Sequence, residues 1–69
     1  MRRVLLYTDE DGYWIAEVPS LPGCNTYGET RQEALDKIKE AIDLWIESAE
    51  AHGDYVPKDY DNIELTPVP

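Results

Sequence analysis

The chain has 69 residues, 15 acidic and 6 basic, with a net charge of −9 and a pI near 4.2. A chain this short is one domain that buries only about 60% of the surface its unfolded form exposes, and a single cysteine offers no internal disulfide to support it. Phosphate repulsion argues against direct binding of DNA or RNA, no apolar run approaches the ~18 residues of a membrane span, and the support left to so small a fold is self-association.

An acidic surface suits a basic protein partner, whose approach it would steer, although acidity also serves solubility. The opening MRRVLLYTDEDG has too short an apolar run for a signal peptide. A lone unpaired cysteine fits a reducing, cytoplasmic setting.

Residues 2–7, RRVLLY, read as a first strand, and TDEDG as a turn. Asp11-Gly12 suits the φ > 0 positions of a tight hairpin. YWIAEV, 13–18, is the aromatic and β-branched return strand, ended by Pro19. SLPG is a loop, and CNTYG, 24–28, a third short strand.

The period then changes. Thr30 followed by Arg31, Gln32 and Glu33 is a capping box, in which the Thr30 hydroxyl takes the Glu33 amide and the Glu33 carboxylate reaches back to the Thr30 amide. Leu35, Ile38, Ile42, Trp45 and Ala49 form an apolar stripe at helical spacing, widened by Ala34, Ala41 and Ile46. This predicts an amphipathic helix of about 22 residues that stops at Gly53. DYVPKDYD is a polar connector, and NIELT, 62–66, can form a last strand. The order is β-β-β-α-β: an α+β two-layer sandwich with an antiparallel-rich sheet and one long helix on one face.

Strand parity assigns the faces. Trp14, Ala16 and Val18 lie on one side, and Tyr13, Ile15 and Glu17 on the other. Glu17 marks the second set as the outer one. Val4 and Leu6, with Cys24, Thr26 and Gly28, join the helix side. The outer face then carries Leu5, Tyr7, Tyr13, Ile15 and Tyr27, which is too apolar for an ordinary wet face. That patch, ringed by acids, is the candidate oligomer interface of a dimer or tetramer.

Little points to catalysis. Cys24 reads as a small buried hydrophobe rather than a nucleophile. The only histidine, His52, lies at the far end of the helix, a favourable dipole partner there, and surrounding acids would raise the thiol pKa. Asp9, Glu10 and Asp11 resemble a fragment of a calcium loop but lack the later ligands. With Asp54, Asp59, Asp61 and Glu64 they could form a two-metal nuclease site, though no spacing enforces convergence. The chain reads as a non-enzyme with no cofactor and no metal.

The string DEDGYWIAEVPSLPGCNTYGET followed by EALDKIKEAIDLWIE resembles the HicB family, antitoxins of type II toxin–antitoxin pairs. The matching residues include Asp11-Gly12, Tyr13, Ala16, Pro19, Leu21, Pro22-Gly23-Cys24, Thr26, Gly28, Thr30, Glu33-Ala34, Glu40-Ala41 and Trp45. The resemblance implies a partial ribonuclease H-like fold that binds rather than cleaves. It implies a partner, HicA: a small basic toxin that cleaves mRNA and whose active site the antitoxin covers. Toxin contact is expected at Asp9, Glu10, Asp11, Tyr13 and Glu17. Many members continue into a DNA-binding domain, whereas residues 1–69 read as a single HicB-like domain with no basic DNA-reading element. The alternative is a solitary, self-associating binding module without a toxin.

Overall fold

Leu21 and Cys24 close the corner that sets up the sheet. The Cys24 amide donates to the Leu21 carbonyl at 3.0 Å, and between them Pro22 and Gly23, the latter at φ +77°, make a type II turn. The Val18 amide reaches the Cys24 carbonyl at 2.9 Å, so the loop folds back and delivers the next strand beside the last. In the computed structural model, which describes residues 1–69, the order is β1 (Leu5–Thr8), β2 (Trp14–Glu17), β3 (Asn25–Gly28) and α1 (Arg31–Ala51). The sheet runs β1-β2-β3, antiparallel at both joins.

The register fulfils the parity argument. Leu6 faces Ala16, and Ala16 faces Thr26; Tyr7 faces Ile15, and Ile15 faces Tyr27. Ala16, Val18, Leu21, Cys24, Ala34 and Ile38 form the buried core, with Val4, Leu6, Trp14, Ala41, Ile42, Trp45 and Ile46 packed against it. Leu21 and Ile38 are its largest fully buried side chains, worth about 1.5–3 kcal/mol each. Gly28 admits the helix start at close range: a Cβ there would lie 2.8 Å from the Ala34 nitrogen. Trp45 locks the other half of the helix to the corner, its indole N–H donating to the Pro22 carbonyl at 2.9 Å.

α1 begins as expected, with the Glu33 amide donating to Thr30 Oγ1 at 3.1 Å. The reciprocal half of the capping box does not form, because Lys37, one turn on, holds the Glu33 carboxylate at 3.1 Å. The helix ends in a Schellman motif: the Gly53 amide bonds the Glu50 carbonyl and the Asp54 amide the Ala49 carbonyl.

Two expectations change. Of Asp11 and Gly12, only Gly12 has positive φ (+86°). The hairpin is the wider kind, in which the Gly12 amide closes a turn onto the Asp9 carbonyl at 3.2 Å. Residues 62–66 form no fourth strand. The connector is caught before it reaches the ladder. Asp59 accepts from the Arg3 amide at 2.9 Å and from the Ser20 hydroxyl at 3.1 Å, and Pro67 and Pro69 lack the amides a strand would use.

Candidate protein-docking face

α1 lies across β3 and β2 on one side of the sheet. The opposite side is uncovered, and its residues are those that parity assigns: Leu5, Tyr7, Ile15, Glu17 and Tyr27 alternate along the three strands. Tyr7, Tyr13 and Tyr27 are 44%, 39% and 59% exposed, while Leu5 and Ile15 are half-buried among them.

Side-chain bonds fix this face. Tyr7 donates its hydroxyl to Glu17 Oε1 at 2.7 Å. That bond, with partial desolvation and the Glu17 charge, raises the Tyr7 pKa and keeps the phenol protonated. The Tyr13 and Tyr27 rings meet edge to face, and the Lys37 ammonium stands 5.5 Å from the Tyr27 ring centre, a cation–π distance. The face is apolar in the middle, hydroxyl-bearing around it and acidic at one end, where Asp9, Glu10 and Asp11 form the exposed hairpin tip.

The three tip acids are not equivalent. Asp9 Oδ1 accepts from the Asp11 amide at 3.0 Å and the Tyr13 amide at 2.9 Å, so Asp9 builds the turn. Glu10 and Asp11 extend from it. Of the expected toxin contacts, Asp9, Glu10, Asp11 and Tyr13 are brought together at the tip, while Glu17 lies at the other end of β2, paired with Tyr7.

Cys24 is buried. Burial raises its thiol pKa, and the charge of Arg2 partly offsets this. The cause is therefore loss of water, where the sequence pointed to neighbouring acids. His52 Nδ1 lies 2.7 Å from the Ser48 carbonyl; a carbonyl only accepts, so Nδ1 carries a proton. No group of three His, Cys, Asp or Glu side chains converges as a metal cage would require. Asp59, one of the acids considered for such a site, instead anchors the C-terminal connector. Burial raises its pKa, but bonds from the Arg3 amide, the Ser20 hydroxyl and the Tyr60 amide, with the Arg3 charge, hold it below the usual carboxylate range.

Sequence reading missed the Arg2–Ser20–Asp59–Arg3 cluster, which spans up to 56 residues of chain. The only signal for it was a basic pair at one end and acids at the other. Lys37 over Tyr27 was also missed, because it reaches from the helix round the sheet edge.

The geometry defines a small α+β domain with a helix-backed sheet and an open, acid-tipped face. Residues 3–66 match the model of the HicB-like antitoxin of bacterial toxin–antitoxin systems, and the chain belongs to that family. It is 52% identical over 56 residues to a UPF0150 protein of Thermoplasma acidophilum, covering 81% of each chain. It is 46% identical over 44 residues to one of Archaeoglobus fulgidus, covering 64% of each. To one of Synechocystis it is 37% identical over 54 residues, 78% of this chain and 74% of the relative. No solved structure matches the chain. No helix is long and apolar enough to cross a membrane.

Proposed function

We propose that this protein is a cytoplasmic antitoxin that binds a small basic, mRNA-cleaving toxin of the HicA type and occludes its active site without itself catalysing a reaction. The uncovered tyrosine face with its acidic tip carries this reading. Tyrosines give large contact area at low entropic cost, and aromatic residues dominate binding energy at interfaces. Glu10 and Asp11 steer a cationic partner, Tyr13 anchors it, and Asp9 holds both in place. Glu17 contributes at the far end, where the Tyr7 hydroxyl orients its carboxylate.

Binding of a purified HicA-type toxin, followed by association rate and residual mRNA cleavage, tests this. Tyr13→Ala weakens binding by tenfold or more if Tyr13 is an anchor, since hot-spot residues cost at least ~2 kcal/mol on truncation. Retained affinity would remove the tyrosine face from the interface.

A second reading has the same face join copies of the chain through Leu5, Tyr7, Tyr13, Ile15 and Tyr27. The half-buried Leu5 and Ile15 favour it. A net charge of −9 per chain opposes it, because stacking two such faces brings like charges together.

A further inference from the structure

β3 keeps one margin bare, and a hollow opens beside it. The Cys24 carbonyl accepts from the Val18 amide. Alternation along the strand therefore gives the backbone of Thr26 and Gly28 to β2 and turns that of Asn25 and Tyr27 outward. The Lys37 ammonium meets the Tyr27 carbonyl at 3.3 Å, as this alternation requires. The Asn25 amide, the Asn25 carbonyl and the Tyr27 amide face out with no strand beyond them.

The hollow, about 570 Å³, lies between this margin and the second half of α1. Gly23, Cys24 and Asn25 form its strand wall, and Ala41, Leu44 and Trp45 line it from the helix. Leu44 is 65% exposed, whereas Leu35, Ile38, Ile42 and Ile46 of the same helix are buried or half-buried. The charge around the hollow has one sign. Asp54 is the only charged residue in its lining. Glu40 and Glu47, one turn before Leu44 and one turn after it, flank it on the helix surface and are exposed. Lys37 is already paired with Glu33 at 3.1 Å.

An unpaired strand margin accepts an extended chain, and a hollow beside it accepts an alternate side chain of that strand. A rim of carboxylates selects a cationic one. The chain's own tail is drawn to the opposite margin, where Asp59 accepts from the Arg3 amide just ahead of β1 and from the Ser20 hydroxyl. A second copy would bring a further charge of −9 and the same carboxylates to the rim.

We propose that the basic partner adds an extended segment to the β3 margin, pairing its backbone with Asn25 and Tyr27. An apolar side chain of that segment seats against Leu44 and Trp45, and its basic residues face Glu40, Glu47 and Asp54. This rests on the antitoxin reading above and extends it. Tyr27 belongs both to the tyrosine face and to this margin, so one partner covers the face and grips its edge. Lys37 closes the pairing at the Tyr27 carbonyl.

Amide hydrogen exchange by NMR on the full chain, alone and saturated with a purified HicA-type toxin, tests this. Alone, Thr26 and Gly28 exchange slowly and Asn25 and Tyr27 fast; in the complex Asn25 and Tyr27 slow by roughly tenfold or more. Leu44→Lys weakens toxin binding by roughly tenfold or more, with helix content unchanged by circular dichroism because Leu44 is exposed. Asn25 and Tyr27 amides that stay fast in the complex, or parental affinity in Leu44→Lys, overturn the proposal; if Tyr13→Ala still weakens binding in that case, the antitoxin reading stands without it. A toxin that fails to bind the parent overturns both. Slow exchange at Asn25 and Tyr27 without toxin also overturns the proposal, assigning the margin to a second copy where it depends on concentration and to the chain's own tail where it does not.

Discussion

The ring of Tyr13 meets that of Tyr27 edge to face, centroids 5.8 Å apart and planes at 87°. One ring comes from the hairpin loop and the other from the far strand, so the pair ties the acidic tip to the β3 edge. Such pairs contribute about 0.5–1.5 kcal/mol beyond their buried area. A double-mutant cycle with Tyr13→Leu and Tyr27→Leu, read by urea denaturation, returns a coupling in that range. Additive effects would show that the rings pack independently.

The tip acids separate by role. Glu10→Gln with Asp11→Asn slows association with a basic partner and flattens its salt dependence, leaving stability within about 0.5 kcal/mol, as for surface changes generally. Asp9→Ala also loosens the turn, because it removes the oxygen that accepts two amides; the added cost is about 1 kcal/mol, as for lost caps. Stopped-flow association and thermal melts on both variants check the division, and it is wrong if they behave alike.

Asp59 makes the connector's anchor sensitive to acid. Its carboxyl is held below the usual range, so the anchor is complete above the unfolded value near ~3.9 and is lost as pH falls through the lower folded one. The Arg3 amide resonance therefore shifts on acidification, with an inflection below that of an ordinary aspartate. Asp59→Asn abolishes the inflection and speeds proteolysis within residues 60–69. An Arg3 amide indifferent to pH would mean the bond is not formed in solution.

Gly28→Ala drives a methyl to 2.8 Å from the Ala34 nitrogen. Backbone on both sides cannot yield cheaply, so the substitution costs about 1–3 kcal/mol, with Tm falling roughly 4–8 °C per kcal/mol in a domain this small. An unchanged Tm would show that the helix can rise from the sheet without loss.

Cys24 stays unreactive toward thiol reagents until the domain opens. Its raised pKa favours the neutral thiol in the fold. That contribution is present in full below the unfolded value near ~8.5 and is lost as pH rises through the folded one. The denaturation midpoint of the parent accordingly falls faster with alkali than that of Cys24→Ala. Fast labelling at neutral pH would contradict the burial.

What the sequence carried, it carried through period and parity. Glu17 was enough to tell the inner side of β2 from the outer, and the register then placed Leu6, Thr26, Tyr7 and Tyr27 correctly. The helix followed from its stripe, and the Thr30 cap from its hydroxyl. What escaped depends on encounters that no local pattern records. Asp9, expected beside Glu10 and Asp11 as a toxin contact, also builds the turn. Glu33 looked committed to the Thr30 amide, but Lys37 competed for it. Residues 62–66 had strand-like alternation, yet Asp59 and Arg3 fix the path of the chain ahead of them.

Each strand of the sheet is only four residues long, and both outer strands lack a neighbour on one side. An edge of four residues exposes about two unpaired backbone rungs, too few to template the stacking by which long flat edges seed fibres. The molecule can leave both margins bare without inviting indiscriminate growth. In return, backbone pairing alone can hold no partner there for long, and selectivity falls to the side chains beside the edge.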